Sequence, residues 1–288
     1  MFLQLFITGL AYGVVYGLIA MGFVLIYRAV GVVNFAQGDF LMVGGYIAYL
    51  FNRQLGLPIG VTLGLTAIIM GLIGIGFQFI VYWPLRKSWD ITVVISTLGA
   101  SIALRELARI IWGPAPLVVD SFKEGSAKIA GASINWQFIF IIIVAAILMG
   151  LIYYLLERTY LGHIMQATAQ DQYAASLVGI PVLIAIAFTF AISILITGVG
   201  GLLLGPVFFI STTMGANIGL DGFAAVILGG FGSVQGAILG GIIVGLAQIF
   251  AGAYISTTYN TAIVFLVVII ILILRPQGLF GEKVAEKV

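Results

Sequence analysis

Polar side chains are so scarce in this 288-residue chain that each one inside an apolar run is a candidate for chemistry. Asn34, Gln37 and Asp39 stand in Gly31-Val-Val-Asn-Phe-Ala-Gln-Gly-Asp-Phe40, too polar for lipid yet surrounded by apolar residues and glycine. Thr92, Ser96 and Thr97 open another apolar run, which Arg105, Glu106 and Arg109 close. Asp221 lies in a short apolar segment, and Ser233 sits in a glycine cluster. Ionisable groups within membrane spans are expensive and generally serve a pathway or an ion relay. Asp39, Glu106 and Asp221 are therefore the acids on which proton or sodium coupling would depend. Glu106 precedes Arg109 by three, so an ion pair within one helix can form. The three charges have two readings: a helix emerging at the surface, or a buried pair facing a pathway.

Enzymatic chemistry has little to work with. The chain has no cysteine, which excludes disulfides, thiol nucleophiles and cysteine metal sites. A lone histidine, His163, argues against a histidine metal centre. There is no Gly-x-x-x-x-Gly-Lys-[Ser/Thr] phosphate loop. Gly229-Gly-Phe-Gly-Ser-Val-Gln-Gly236 has the wrong spacing for a dinucleotide fingerprint and lacks its strand-turn-helix setting. No Ser/His/Asp set has a plausible geometry. We expect no catalysis, metal or cofactor in this chain, and its scattered basic residues form no patch for nucleic acid.

The elements that must position the polar groups are membrane helices. With 62% apolar and 8% charged residues, and a mean hydropathy of +1.23, the chain cannot cover a soluble globule, which carries about 25% charged residues. The expected fold is all-α and polytopic, a single domain over residues 1–288 with about eight spans, some short or re-entrant half-helices and an internal pseudo-repeat. Gln4–Tyr27 has no basic leader or small-x-small cleavage site and reads as a span rather than a signal peptide. Its Gly9, Gly13 and Gly17 make a face for close helix packing, and Gly232, Gly236 and Gly240 repeat the pattern. The stretch after Arg28 reads either as a broken or re-entrant element leading into a span at Phe40–Phe51, or as a tight turn between two ordinary spans. Further spans are expected at Leu57–Trp83, Ile91–Trp112, Trp136–Leu156, Val182–Leu204, Gln235–Ala251 and Thr261–Leu274, with an extended loop over 113–135. Arg28, Arg86, Lys87, Arg158, Arg275, Lys283 and Lys287 share the cytoplasmic side if the N-terminus is outside, with Arg53, Lys123 and Lys128 external. The short Gly219–Phe231 element must then cross or partly cross.

Between two apolar runs lies a polar interruption, Glu157–Pro181, which holds His163. Read as one helix, Gln166, Gln170 and Tyr173 share a side at spacings of four and three. Ile164, Ala167, Ala174, Ala175 and Val178 offer an apolar surface. Gly162 suits a bend at its start, and Gly179 before Pro181 suits a stop. Such a helix on a membrane protein either meets a partner or is simply solvated.

Four stretches, in this order, resemble the branched-chain amino-acid ABC transporter permeases of the LivH type over nearly the whole chain. They are Gly31–Tyr46 with its Asn-Phe-Ala-x-Gly core, Gly162–Ile180, Gly229–Gly241, and the tail Arg275-Pro-Gln-Gly-Leu-Phe-Gly281. The resemblance implies a permease subunit that forms the translocation pathway of an ATP-driven importer for branched-chain or other hydrophobic amino acids, in the inner membrane of a prokaryote. Related permeases handle urea or short amides. The implied partners are two ATP-binding-cassette ATPase subunits, a second permease subunit, identical or homologous, and a periplasmic or extracellular binding protein. Tyr173-Ala-Ala-Ser-Leu-Val-Gly179 is similar to the importers' coupling pattern Glu-Ala-Ala-x-x-x-Gly, with Tyr173 in place of the Glu. The coupling residues are then Gly162, His163, Gln166, Gln170, Ala174, Ala175 and Gly179. Asn34, Gln37, Ser96, Thr97 and Ser233 are the candidates for lining the route, where they could meet a zwitterion in transit; each has a second reading as a hydrogen bond between helices. A self-contained secondary transporter working through Asp39, Glu106 or Asp221 is the competing class.

Overall fold

The computed structural model describes residues 1–123, 125–129 and 132–280. Glu124, Gly281, Lys283 and Lys287 lie outside the described residues. In chain order the helices are α1 (Phe2–Val30), α2 (Gln37–Tyr49), α3 (Ile59–Phe77), α4 (Asp90–Trp112), α5 (Trp136–Arg158), α6 (Tyr160–Gln170), α7 (Gln172–Leu177), α8 (Val182–Leu204), α9 (Met214–Gly229), α10 (Val234–Tyr254) and α11 (Asn260–Leu274). Among the described residues six helices are long and apolar enough to cross a membrane: α1, α3 with its continuation to Leu85, α4, α5, α8 and α10. α9 and α11 are apolar but shorter, and a π-helical turn prolongs α2 to Gln54. The chain is thus an all-α polytopic membrane protein. The loop over 113–135 adds something its composition did not signal, an antiparallel hairpin of β1 (Ser126–Ile129) and β2 (Ala132–Asn135). Upstream in the same loop, Leu117 and Ile210 exchange both backbone hydrogen bonds.

α1 is apolar on all sides and occupies the centre, with Val14–Ile26 buried around its whole circumference. Lipid tails are as apolar as leucine, so helices in a bilayer associate through close packing and internal hydrogen bonds rather than through hydrophobic burial. The glycine face of α1 serves that purpose. Gly13 lies against the backbone of Gly241 and Ile242, and Gly9 and Gly17 lie against Leu246 and Ile238 of α10. The second stripe is divided: Gly236 and Gly240 receive α9 at Gly229 and Ala225, while Gly232 faces open space among the described residues. α9 runs beside α1 in the same direction, with Gly222 on Ile19 and the rings of Phe223 and Phe231 on Phe23 and Tyr27. It therefore starts at Met214, five residues before the expected Gly219. Its glycines at 215, 219 and 222 do not break it, because each is seated against Gly38, Asp39 or Ile19.

α1 ends at Gly31, whose φ of 73° needs a residue without a Cβ and whose N–H bonds the Tyr27 carbonyl. The chain then turns back into the bundle. Gln37, the first residue of α2, reaches Gly22 of α1, eight residues or about 12 Å short of the end of α1. This is the broken element, and its backbone is satisfied as membrane depth requires. Asn34 Oδ1 accepts from the Ala36 N–H at 3.1 Å, and Thr97 Oγ1 accepts from the Phe35 N–H at 3.1 Å.

Charged residues collect at both ends of the bundle. Arg28, Glu157, Ser233, Gln235 and Phe280 surround one pocket, and the tail at Leu279 and Phe280 bonds the last carbonyls of α9. Arg158 and Arg275 close α5 and α11 at this basic end. At the opposite, loop end Arg53 pairs with Asp120, and Gln137 ties Phe122 to Leu203.

Candidate functional site

The polar interruption after α5 folds as two helices, not one. Thr159 caps α6, accepting from the Gly162 N–H at 3.1 Å and donating to the Leu155 carbonyl at 2.6 Å. The bend therefore sits at Thr159. Gly162 has a different role, since a Cβ there would overlap the Leu155 and Leu156 carbonyls. His163 is exposed and bonds back to the Thr159 carbonyl through Nδ1. Gln166 turns inward, donating to the Leu156 carbonyl at 2.7 Å. The single-helix face of Gln166, Gln170 and Tyr173 does not form, because Asp171 breaks the helix. Asp171 is extended, and its Oδ1 accepts from the N–H groups of Tyr173 and Ala174, capping α7. The stop at Gly179 has a left-handed φ of 82°. Its N–H bonds the Ser176 carbonyl, and the Ile180 N–H bonds the Ala175 carbonyl, a Schellman pair.

α7 is held to the bundle by Ala175, which is buried, and by Gln172, which donates to the Ala29 carbonyl at the end of α1 at 2.9 Å. The rest of it projects. Gln170, Ala174 and Gly179 are exposed, and so are three large apolar side chains, Tyr173, Leu177 and Val178, the last two at 71% and 77%. The arrangement is a small apolar tip at the basic end, tied to α1, joined to α5 through α6 and leading directly into α8.

The polar candidates divide by location. Gln37 is fully enclosed and donates through Nε2 to Thr197 Oγ1 at 2.6 Å and to Ser193 Oγ at 3.1 Å, while its Oε1 accepts from Asn34. Ser193 Oγ donates in turn to the Gly22 carbonyl. These bonds fasten α1, α2 and α8 together. Thr97 is bound to Phe35 and to the Val94 carbonyl. Ser96 Oγ is buried without a partner among the described residues. Ser233 caps α10, accepting from the Gly236 N–H at 3.0 Å, and lies with Arg28 and Glu157 at the basic end. Ser193 and Thr197, one turn apart on α8, are absent from the sequence-derived candidates, although two hydroxyls at that spacing in an apolar run were a visible signal.

The charges of α4 separate. Glu106 and Arg109 pair on the exposed surface at 3.1 Å. Arg105 turns the other way and donates through Nε to Oδ1 of Asp39 at 2.9 Å; Asp39 is 2% exposed and Arg105 36%. Ser101 donates to Asp39 Oδ2 and accepts from Arg105 Nη2, each at 2.5 Å. This pair borders a cavity of about 250 Å³ among α1, α2, α4 and α9, walled by Phe23, Phe35, Gly215 and Phe223. A second cavity, of about 420 Å³, lies across α9, bounded by α1, α10 and the start of α11, and it contains Asp221.

The chain matches the model of the family described as "Branched-chain amino acid transport system / permease component" over residues 5–274. It is 31% identical over 302 residues to the high-affinity branched-chain amino acid transport system permease protein LivH of Escherichia coli strain K12, covering 100% of this chain and 98% of that one. It is also 31% identical over 301 residues to the corresponding permease BraD of Pseudomonas aeruginosa, with the same coverage. A probable LivH permease of Methanocaldococcus jannaschii is 27% identical over 92% of this chain and 88% of its own length. No solved structure matches the chain significantly.

Proposed function

Because the chain belongs to the family of branched-chain amino acid transport permease components, we propose that it is the pore-forming subunit of an ATP-driven importer of branched-chain or other hydrophobic amino acids, in the plasma membrane of a prokaryote. The end that holds Arg28, Arg86, Lys87, Arg158 and Arg275 faces the cytoplasm, the orientation favoured when Lys283 and Lys287 of the tail are counted with it. Two ATPase subunits dock there. A second permease subunit completes the pore, and a soluble binding protein delivers the solute at the loop end.

The observation that carries this reading is the tip of α7. Tyr173, Leu177 and Val178 form an exposed apolar surface at an end where charged residues collect, outside the lipid, and such a surface calls for a protein partner. The tip is also mechanically connected. Gly162 seats α6 on the end of α5, Gln172 holds the end of α1, and Pro181 leads straight into α8. A push on α7 would therefore be felt by three membrane helices, α1, α5 and α8, which is what alternation between outward- and inward-facing states needs. Asn34, Gln37 and Thr97 serve the route by holding the re-entrant turn that walls it. Ser233 contributes at the cytoplasmic mouth, beside Arg28 and Glu157.

The test is Leu177→Asp combined with Val178→Asp. Both side chains are exposed, so the bundle is expected to fold normally. Co-purification of the ATPase should be lost, and ATP-dependent uptake of leucine should fall by more than about tenfold, since a buried charge at a docking site costs several kcal/mol. Uptake by the isolated chain in liposomes without ATP would instead make it a secondary transporter.

A further inference from the structure

The larger cavity contains a carboxylate that the fold leaves half unused. Asp221 is 6% exposed. Its Oδ2 accepts from Gln248 Nε2 at 3.2 Å, whereas its Oδ1 is buried with no hydrogen-bond partner among the described residues. Gln248 is itself held, because Tyr16 donates its hydroxyl to Gln248 Oε1 at 2.5 Å. That bond directs the amide NH2 group toward Asp221 and keeps the carboxylate in one position. A buried carboxylate oxygen without a partner in a membrane bundle is costly and calls for one.

The surroundings define what would fit. Among the described residues no lysine, arginine or histidine borders this cavity. Asn217, Asn260 and Thr261 add uncharged polar groups, and Tyr12, Phe208 and Ile249 add apolar wall. At about 420 Å³ the space is far larger than a bare metal ion needs. It suits a molecule with one cationic head and an aliphatic body. The other buried acid, Asp39, does not offer this, since Arg105 and Ser101 occupy both its oxygens. The cavity also sits toward the loop end, next to Phe208 and the first residues of α11.

We propose that this cavity is a recognition site for a primary ammonium group carried on an aliphatic body, with the Asp221 carboxylate as its acceptor and Gln248 and Tyr16 as positioning residues. The proposal rests on the importer reading, under which the group is the α-ammonium of the amino acid arriving from the loop end.

The probe is isopentylammonium, compared with isopentanol and with sodium chloride at equal ionic strength. Thermal unfolding of the full chain in nanodiscs reports binding. Isopentylammonium should raise Tm saturably, and the other two should not. Asp221→Asn keeps the size and the Gln248 bond but removes the charge, and it should weaken the apparent affinity at least about tenfold while leaving the Tm without probe at or above that of the unaltered chain. Equal shifts with sodium, equal affinity in the Asn variant, or no shift with isopentylammonium would each overturn the site. Failure of the importer reading looks different: the isolated chain would take up leucine in liposomes without ATP while isopentylammonium still bound through Asp221.

Discussion

A Gly44→Val substitution is expected to abolish the folded bundle. The position belongs to α2, and a Cβ placed there would overlap the Cα, carbonyl carbon and oxygen of Gly198 on α8. Retreat is blocked on both sides. Behind Gly198 stands the Met70 side chain of α3, and one turn along α8 the Leu41 carbonyl fills the place where a Cβ on Gly201 would be. Overlap with side chains in a packed core costs about 1–3 kcal/mol because rotamers can adjust. Here the obstacle is backbone, and relieving it separates α2 from α8 and breaks the Gln37 bonds to Ser193 and Thr197. Gly64→Val is the control, since none of the described residues would come within 4 Å of a Cβ at that position. Detergent extraction and size-exclusion chromatography should recover the Gly64 variant as a sharp peak and the Gly44 variant only as aggregate. Recovery of both in the folded peak would mean that the two helices are not in backbone contact.

The second large effect is expected at the buried ion pair. Arg105→Leu leaves the Asp39 carboxylate enclosed with only Ser101 to satisfy it. Removing one partner of a fully buried pair typically costs about 3–5 kcal/mol. Arg105 is partly exposed, so the loss is set lower, at about 2–3 kcal/mol after allowance for solvent screening. Asp39→Asn in the same chain removes the stranded charge and should restore most of the loss. The surface pair formed by Glu106 and Arg109 should matter little, with Glu106→Gln changing stability by less than about 1 kcal/mol. Thermal unfolding of the single and double variants measures the coupling directly. An Arg105→Leu chain as stable as the unaltered one would show that Asp39 does not depend on its partner.

Much of the site's framework is legible in the amino-acid sequence. Asn34, Gln37 and Asp39 mark the re-entrant turn, because polar groups amid glycine and apolar residues are incompatible with lipid. Gly179 marks the α7 stop, since the helix end needs a residue in the left-handed region. The break at Asp171 is also written in the chain, as an acid preceding Gln-Tyr-Ala, but the helical spacing of Gln166, Gln170 and Tyr173 runs across it. Propensity and spacing favour one helix, and a side-chain cap, a local competitor for the same N–H groups, produces two.

Composition and local pattern are enough to establish the membrane class, most of the helices and the glycine faces. Those properties depend on each segment's own residues within a few turns. Which polar groups meet was settled by the assembled bundle. Asp39 is 66 residues from Arg105, Gln37 is 160 from Thr197, and Asp221 is 27 from Gln248. A helix presents the same faces whatever stands beside it, so its sequence does not specify its neighbour. Arg105 became the partner of Asp39 rather than part of a surface cluster because α4 lies against α2 with that face inward. Asp221 kept an unused oxygen because α1, α9, α10 and α11 enclose a space there that none of them fills.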